Sequence, residues 1–177
     1  MAEFSPKFKE ALSLVQKPGR YTGGEPGCIY KDKSKVDVRM AFCFPDTYEI
    51  GMSFLGEKIL YDILNRHENW WCERAFMPWT DMKVQMERLD IPLYCLESKD
   101  PLTDFDIVGF SLEYELCYTN VLAMLRLSGI PLRAADRDER WPLIIAGGPC
   151  VCNAEPMADF FDAVSYTHLR AHETRSN

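Results

Sequence analysis

Residues 36–56 read VDVRMAFCFPDTYEIGMSFLG, and this stretch decides the fold. Val38 to Phe44 is apolar apart from Arg39, the pattern of a strand buried on both faces of a parallel sheet. Pro45-Asp46 ends the run with a turn signal. Met52, Leu55, Ile59, Leu60, Ile63 and Leu64 then recur at helical spacing. A strand that passes through a loop into a helix is the ligand-binding end of an open α/β sheet. The loop Asp46-Thr47-Tyr48-Glu49-Ile50-Gly51 is therefore the first candidate site.

Working outward, the same alternation repeats. Strands are expected at 72–77, 104–111, 143–146 and 162–164, with a short one at 92–96. Helices are expected at 79–89, 114–127 and 154–161. Trp79, Met82, Met86 and Leu89 share one helix face and read as core packing. The pattern predicts an α/β fold with a doubly wound, mostly parallel sheet, its strands at 38–44, 107–111 and 143–146 adjacent and central. Residues 1–35 form an N-terminal extension before the sheet, and residues 36–164 form the α/β domain. In the extension, Ser5-Pro6 starts a short helix running to about Val15. The segment KPGRYTGGEPG, residues 17–27, follows and reads as a surface loop.

Residues 165–177, SYTHLRAHETRSN, have no core face and resemble translated adapter sequence, so they are set aside as a non-native tail. His168 and His172 there are four apart, with Glu173 adjacent, a spacing that holds metal on a helix. On such a tail the pair reads as accidental, and no metal site is expected.

The composition narrows the class. The chain has 177 residues, 47% of them hydrophobic, enough for one domain with a core. A net charge of -7 excludes a general nucleic-acid surface. No apolar run spans a bilayer, and the start lacks a secretory pattern. The 7 cysteines are scattered and mostly lie in apolar runs, which reads as reduced, buried thiols of a cytoplasmic protein.

Three loops at expected strand ends carry small or polar residues: Asp46 to Gly51, Ser111, and Gly147-Gly148. In a parallel sheet these ends share one edge, where glycine lets a ligand approach the backbone. Asp46, Tyr48, Gly51, Ser111, Gly147 and Gly148 are the candidate cofactor-binding residues; none is assigned a catalytic role.

The segments KPGRYTGGE, FPDTYEIGMSFLG, PLYCLES, DFDIVGFSLEYELCYTN, GIPLRAADR and IIAGGPCVCNAEPMADFFDA carry a family likeness. The chain resembles the N-terminal part of an uncharacterised family of cobalamin-binding radical S-adenosylmethionine proteins. The resemblance implies a flavodoxin-like or Rossmann-like cobalamin-binding fold. It also implies a missing C-terminal radical core, the partner of this domain, that would hold the iron–sulfur cluster and S-adenosylmethionine. No C-x-x-x-C-x-x-C run stands in this chain, so the piece alone is not expected to be catalytic. Cobalamin domains of this kind carry D-x-H-x-x-G, S-x-L and a glycine pair. Here the histidine position is Tyr48, and Ser111-Leu112-Glu113 lacks the final leucine. If cobalamin binds, this loop supplies no nitrogen to cobalt, because a phenol with a pKa of about 10 is a poor ligand at neutral pH. The alternatives are a flavin- or nucleotide-binding module, which two loop carboxylates disfavour by repelling phosphate, and a protein-interaction domain.

Overall fold

The computed structural model describes residues 4–165. In chain order the elements are α1 (Pro6–Ser13), α2 (Gly19–Thr22), β1 (Val38–Phe44), α3 (Tyr48–Ser53), α4 (Leu55–Asn65), β2 (Trp70–Phe76), α5 (Thr80–Leu89), β3 (Ile107–Ser111), α6 (Tyr118–Leu127), β4 (Leu143–Gly147) and β5 (Ala163–Val164). The strands form one 5-stranded sheet in the order β2-β1-β3-β4-β5. Every pairing is parallel, with Met40 opposite Ile107 and Ser111 opposite Gly147. The fold is therefore a doubly wound α/β sheet, and β1, β3 and β4 are adjacent and central.

Alternation along the strands explains the two layers. Ala41, Cys43, Val108, Phe110, Ile144 and Ala146 point into the larger core, beneath α1, α5 and α6. Met40, Phe42 and Cys72 point the other way, under Tyr61 of α4. A run such as Val38–Phe44 is apolar at almost every position because both of its faces are covered near β2.

Local chemistry sets the helix ends. The Ser5 hydroxyl accepts the Phe8 N–H at 3.2 Å, with Pro6 in the first turn. Gly129, at φ +71, follows the end of α6 as the left-handed residue expected there.

Four expectations need correction. The loop at 46–51 is shorter than expected: α3 begins at Tyr48, and the extended Phe54 separates it from α4. Residues 92–96 make only an isolated antiparallel bridge, Tyr94 to Pro101, rather than a strand. Residues 154–161 form no α-helix; the chain makes 3-10 turns at Pro149–Asn153 and Glu155–Phe160, consistent with prolines at the start of both.

The fourth concerns the segment 17–27, which is no free loop. Phe8, Ala11, Val15 and Tyr21 of the N-terminal extension are buried in the larger core. The Tyr94 hydroxyl donates to the Tyr21 carbonyl at 3.1 Å, and the Lys99 ammonium donates to the Thr22 carbonyl at 2.7 Å. At Gly23, φ +61, a Cβ would lie 2.3 Å from the Leu96 carbonyl oxygen, so only glycine lets the two backbones touch. The extension is a strap fastened beside β2.

No helix among the described residues is long and apolar enough to cross a membrane. His168 and His172 lie outside the described residues.

Candidate functional site

In the order β2-β1-β3-β4-β5 the chain leaves β1 toward one side and β3 toward the other. The loops after β1 and β3 diverge there, and this switch point is where open α/β sheets place ligands. The side chains that meet there are Asp46, Tyr114 and Asn120. Asp46 Oδ1 accepts the Thr47 N–H at 2.7 Å, and its Oδ2 accepts the Tyr114 hydroxyl. The Asp46 carbonyl accepts the Met77 N–H at 2.9 Å, and the Asn120 amide donates to the Pro45 carbonyl at 3.0 Å. Asp46 thus ties together the loops that follow β1, β2 and β3. The hydrogen bond to Asp46, followed by burial, pushes the Tyr114 phenol up to about 12, so it keeps its proton.

Ser111, Gly147 and Gly148 do come together. Ser111 and Gly147 are paired in register, and the Leu112 N–H donates to the Gly147 carbonyl at 2.7 Å. The Ser111 hydroxyl, however, donates to Glu113 Oε1 at 2.6 Å. Gly148 sits at φ +99, and a Cβ there would lie 2.7 Å from the Leu112 carbonyl oxygen. Its missing side chain accommodates the neighbouring loop. Gly147 alone opens onto free space.

Tyr48 and Gly51 belong to a different neighbourhood. The Tyr48 hydroxyl donates to Glu25 Oε1 at 2.7 Å, and its ring meets Phe76 edge-on at 5.6 Å. Burial first, then Glu25, raises the Tyr48 phenol far above its ordinary value. Gly51 is buried, and a Cβ there would fall 2.3 Å from the Phe76 ring. The cavity beside Tyr48, lined also by Arg20, Tyr21, Phe76 and Trp79, holds about 20 Å³. That is room for about one water molecule.

Sequence reasoning missed the polar centre of the β2 side. The Arg74 guanidinium donates from Nε to Glu97 Oε1 at 2.7 Å and from Nη2 to Glu25 Oε2 at 3.2 Å. The Glu97 Oε2 accepts the Arg74 N–H at 2.7 Å. Arg74 lies over the Tyr61 ring, 4.7 Å from its centroid. Nearby, Arg39 Nη2 donates to Glu73 at 2.6 Å and to Asp100 at 2.7 Å. The signal was present: Glu73-Arg74 interrupts the apolar run 70–76, and charges buried in a strand require partners. Their partners, Arg39 for Glu73 and Glu97 for Arg74, lie 34 and 23 residues away, out of reach of any local pattern.

Cobalamin can be tested against these residues. The position that would ligate cobalt is a protonated phenol held by Glu25. Of the three glycines, Gly51 is filled by Phe76 and Gly148 by Leu112. The Ser111 hydroxyl is held by Glu113, a carboxylate that would repel a phosphate-bearing tail. The residues present do not fit that group. Cys43, Cys72, Cys95 and Cys117 are buried, and burial raises the pKa of each thiol. Among the described residues no group of three or more His, Cys, Asp or Glu side chains is placed to hold a metal ion.

The family described as "Radical SAM proteins, N-terminal" matches residues 56–167, more than half of the chain. An uncharacterized protein of Methanocaldococcus jannaschii is 26% identical over 129 residues, 72% of this chain. The matched region is 23% of that relative's length.

Proposed function

The chain belongs to the radical SAM N-terminal family, and from that premise we propose that it is an accessory, non-catalytic α/β domain of a larger radical SAM protein, docked on a core that carries the chemistry. The iron–sulfur cluster and S-adenosylmethionine belong to that core. The observation that carries this reading is the state of the switch-point edge. Its polar groups are engaged with one another, through Asp46 with Tyr114 and Ser111 with Glu113. Around them, apolar side chains stand in solvent: Leu116 is 83% exposed and Ile50 48%. An edge with internally satisfied polar groups and exposed Leu and Ile suits contact with protein better than capture of a small ligand.

The finer reading, that the domain takes up cobalamin, is opposed by the misfit of Tyr48, Gly51 and Gly148. The flavin or nucleotide alternative is opposed by Asp46 and Glu113, which repel phosphate.

Anaerobic reconstitution with iron and sulfide tests the main reading. The full-length protein is expected to hold a cluster and this chain none. A cluster bound one per chain by this domain would overturn it. Titration with hydroxocobalamin tests the finer point, with the cofactor expected to pass through dialysis unbound. Stoichiometric retention by the folded chain would restore the cobalamin reading.

A further inference from the structure

Helix α4 turns polar residues inward and aliphatic residues outward. Glu57, Tyr61 and Asn65 are buried, whereas Leu55 is 67% exposed, Ile59 43% and Ile63 41%. The inward face is tied down. The Tyr61 hydroxyl accepts the Ile29 N–H at 2.8 Å. The Asn65 side chain donates to the Cys72 carbonyl at 2.9 Å and accepts the Cys72 N–H at 3.1 Å. Rolling the helix to bury its outer residues would break these bonds. An exposed Leu or Ile standing alone requires no explanation. Three at a spacing of four form one continuous ridge, which advances about 40° around the helix per step.

Charges run beside the ridge. Lys58 stands one residue before Ile59 and Asp62 one residue before Ile63, both exposed and on the same flank. Asp62 accepts the Arg66 guanidinium one turn further on, at 2.5 Å.

We propose that this ridge is the contact face of a weak homodimer, with α4 packed antiparallel on α4 of a second copy across a two-fold axis at Ile59. The ridge is complementary to itself in that arrangement. Leu55 of each copy meets Ile63 of the other, and Ile59 meets its equivalent. Two ridges of this spacing interdigitate at a crossing angle of about 50°. The two-fold axis sets each charged flank against the same flank of the second copy. Lys58 lies about 1.5 Å before Ile59 along the helix and Asp62 about 4.5 Å after it. Lys58 therefore falls within about 3 Å, measured along the helix, of Asp62 of the second copy, and the pairing occurs twice. A parallel arrangement would set the charged flank against the flank of Gly56 and Leu60 and make neither pair. Each copy carries a net charge of -7. At physiological salt, charges more than about 8 Å apart are largely screened, so the pairs at the contact outweigh that repulsion. One helix pair buries less than the roughly 800 Å² per partner of a standard interface, so the association is weak. The inference does not rest on the accessory-domain reading, because both contacting surfaces belong to the described residues.

Sedimentation equilibrium in reducing buffer, at concentrations into the hundreds of micromolar, tests it. This chain is expected to show a monomer–dimer equilibrium. Ile59→Asp, at a half-exposed position where circular dichroism should report an unchanged fold, is expected to weaken the dimer by about tenfold or more. Lys58→Asp is expected to weaken it about fivefold, and adding Asp62→Lys to that variant to restore it. A chain that stays monomeric throughout the range overturns the proposal. So does a dimer that Ile59→Asp leaves intact, which would place the contact elsewhere, or a double charge swap that recovers nothing, which would refute the antiparallel register. In the full-length protein, Ile59→Cys is expected to form an intersubunit disulfide under oxidised glutathione. A monomeric full-length protein that shields Ile59→Cys from maleimide would assign the ridge to the rest of the polypeptide and overturn the dimer.

Discussion

The two ends of the sheet solve the problem of an exposed edge in opposite ways. At β2 the N-terminal strap and residues 94–100 close over the strand, and charges are buried in pairs around Arg39 and Arg74. At β4 and β5 the face opposite the larger core is apolar and half bare, with Leu143 in solvent. The β2 end is sealed by its own chain. The β5 end carries an apolar surface without a matching cover among the described residues. Buried ion pairs require every partner to be present, whereas an apolar floor accepts any complementary apolar surface.

This contrast can be broken most sharply at Arg74. Arg74→Met leaves Glu97 buried without its cation, and urea unfolding is expected to show a loss of about 3–5 kcal/mol. Replacing Arg74 and Glu97 together by apolar residues should recover much of that loss. A single variant within 0.5 kcal/mol of wild type would mean that the pairing is dispensable. At the carboxyl edge, Gly148→Ala forces a Cβ against the Leu112 backbone at a positive φ. The expected loss is about 1–3 kcal/mol, read by thermal unfolding.

Glu57 sharpens the comparison, because it is the unmatched acid of the sealed end. It is 1% exposed and neither carboxylate oxygen has a partner. Burial pushes its carboxyl up to about 8 from an ordinary 4.5. The unfolded chain releases this proton near pH 4.5 and the folded domain only near pH 8, so the folded form binds more protons between them. Stability therefore falls as pH rises through that window and levels off above it. Relative to Glu57→Gln, the wild type should lose on the order of 3–4 kcal/mol from pH 5 to pH 8. A pH-independent difference between the two curves would contradict the buried, unpaired carboxyl. The smallest effect belongs to the open end: Leu143→Ser should change the stability of this chain by no more than about 0.5 kcal/mol. A large loss would mean that this face is already covered.

Much of the fold was legible because its signals are local. Val38–Phe44 and Ile107–Ser111 are apolar on both faces, and Gly129 stops α6 where a left-handed residue is needed. The strap was not legible. Its glycines read as a loop, and only the approach of Gly23 to Leu96 gives them their role. Of the candidate site, Ser111, Gly147 and Gly148 were found together, because parallel register places strand ends side by side. Tyr48 and Gly51 were misplaced because α3 starts early and turns them toward Phe76 and Glu25. Tyr114 escaped notice because its partner Asp46 is 68 residues away.

The strap also has a consequence in time. Thr22 is bonded to Lys99, 77 residues later, and Tyr21 to Tyr94, 73 residues later. During synthesis at about 5–20 residues per second, the strap emerges roughly 4–15 seconds before its anchors. Through that interval Phe8, Val15 and Tyr21 have no finished core to enter, and β2 leaves the ribosome with an uncovered edge. A nascent chain from which β2 has emerged while residues 94–99 are still inside the exit tunnel presents that edge, together with Arg74 before Glu97 is there to neutralise it. Its interaction with chaperones should be greatest at those lengths and fall once Lys99 has cleared the exit tunnel.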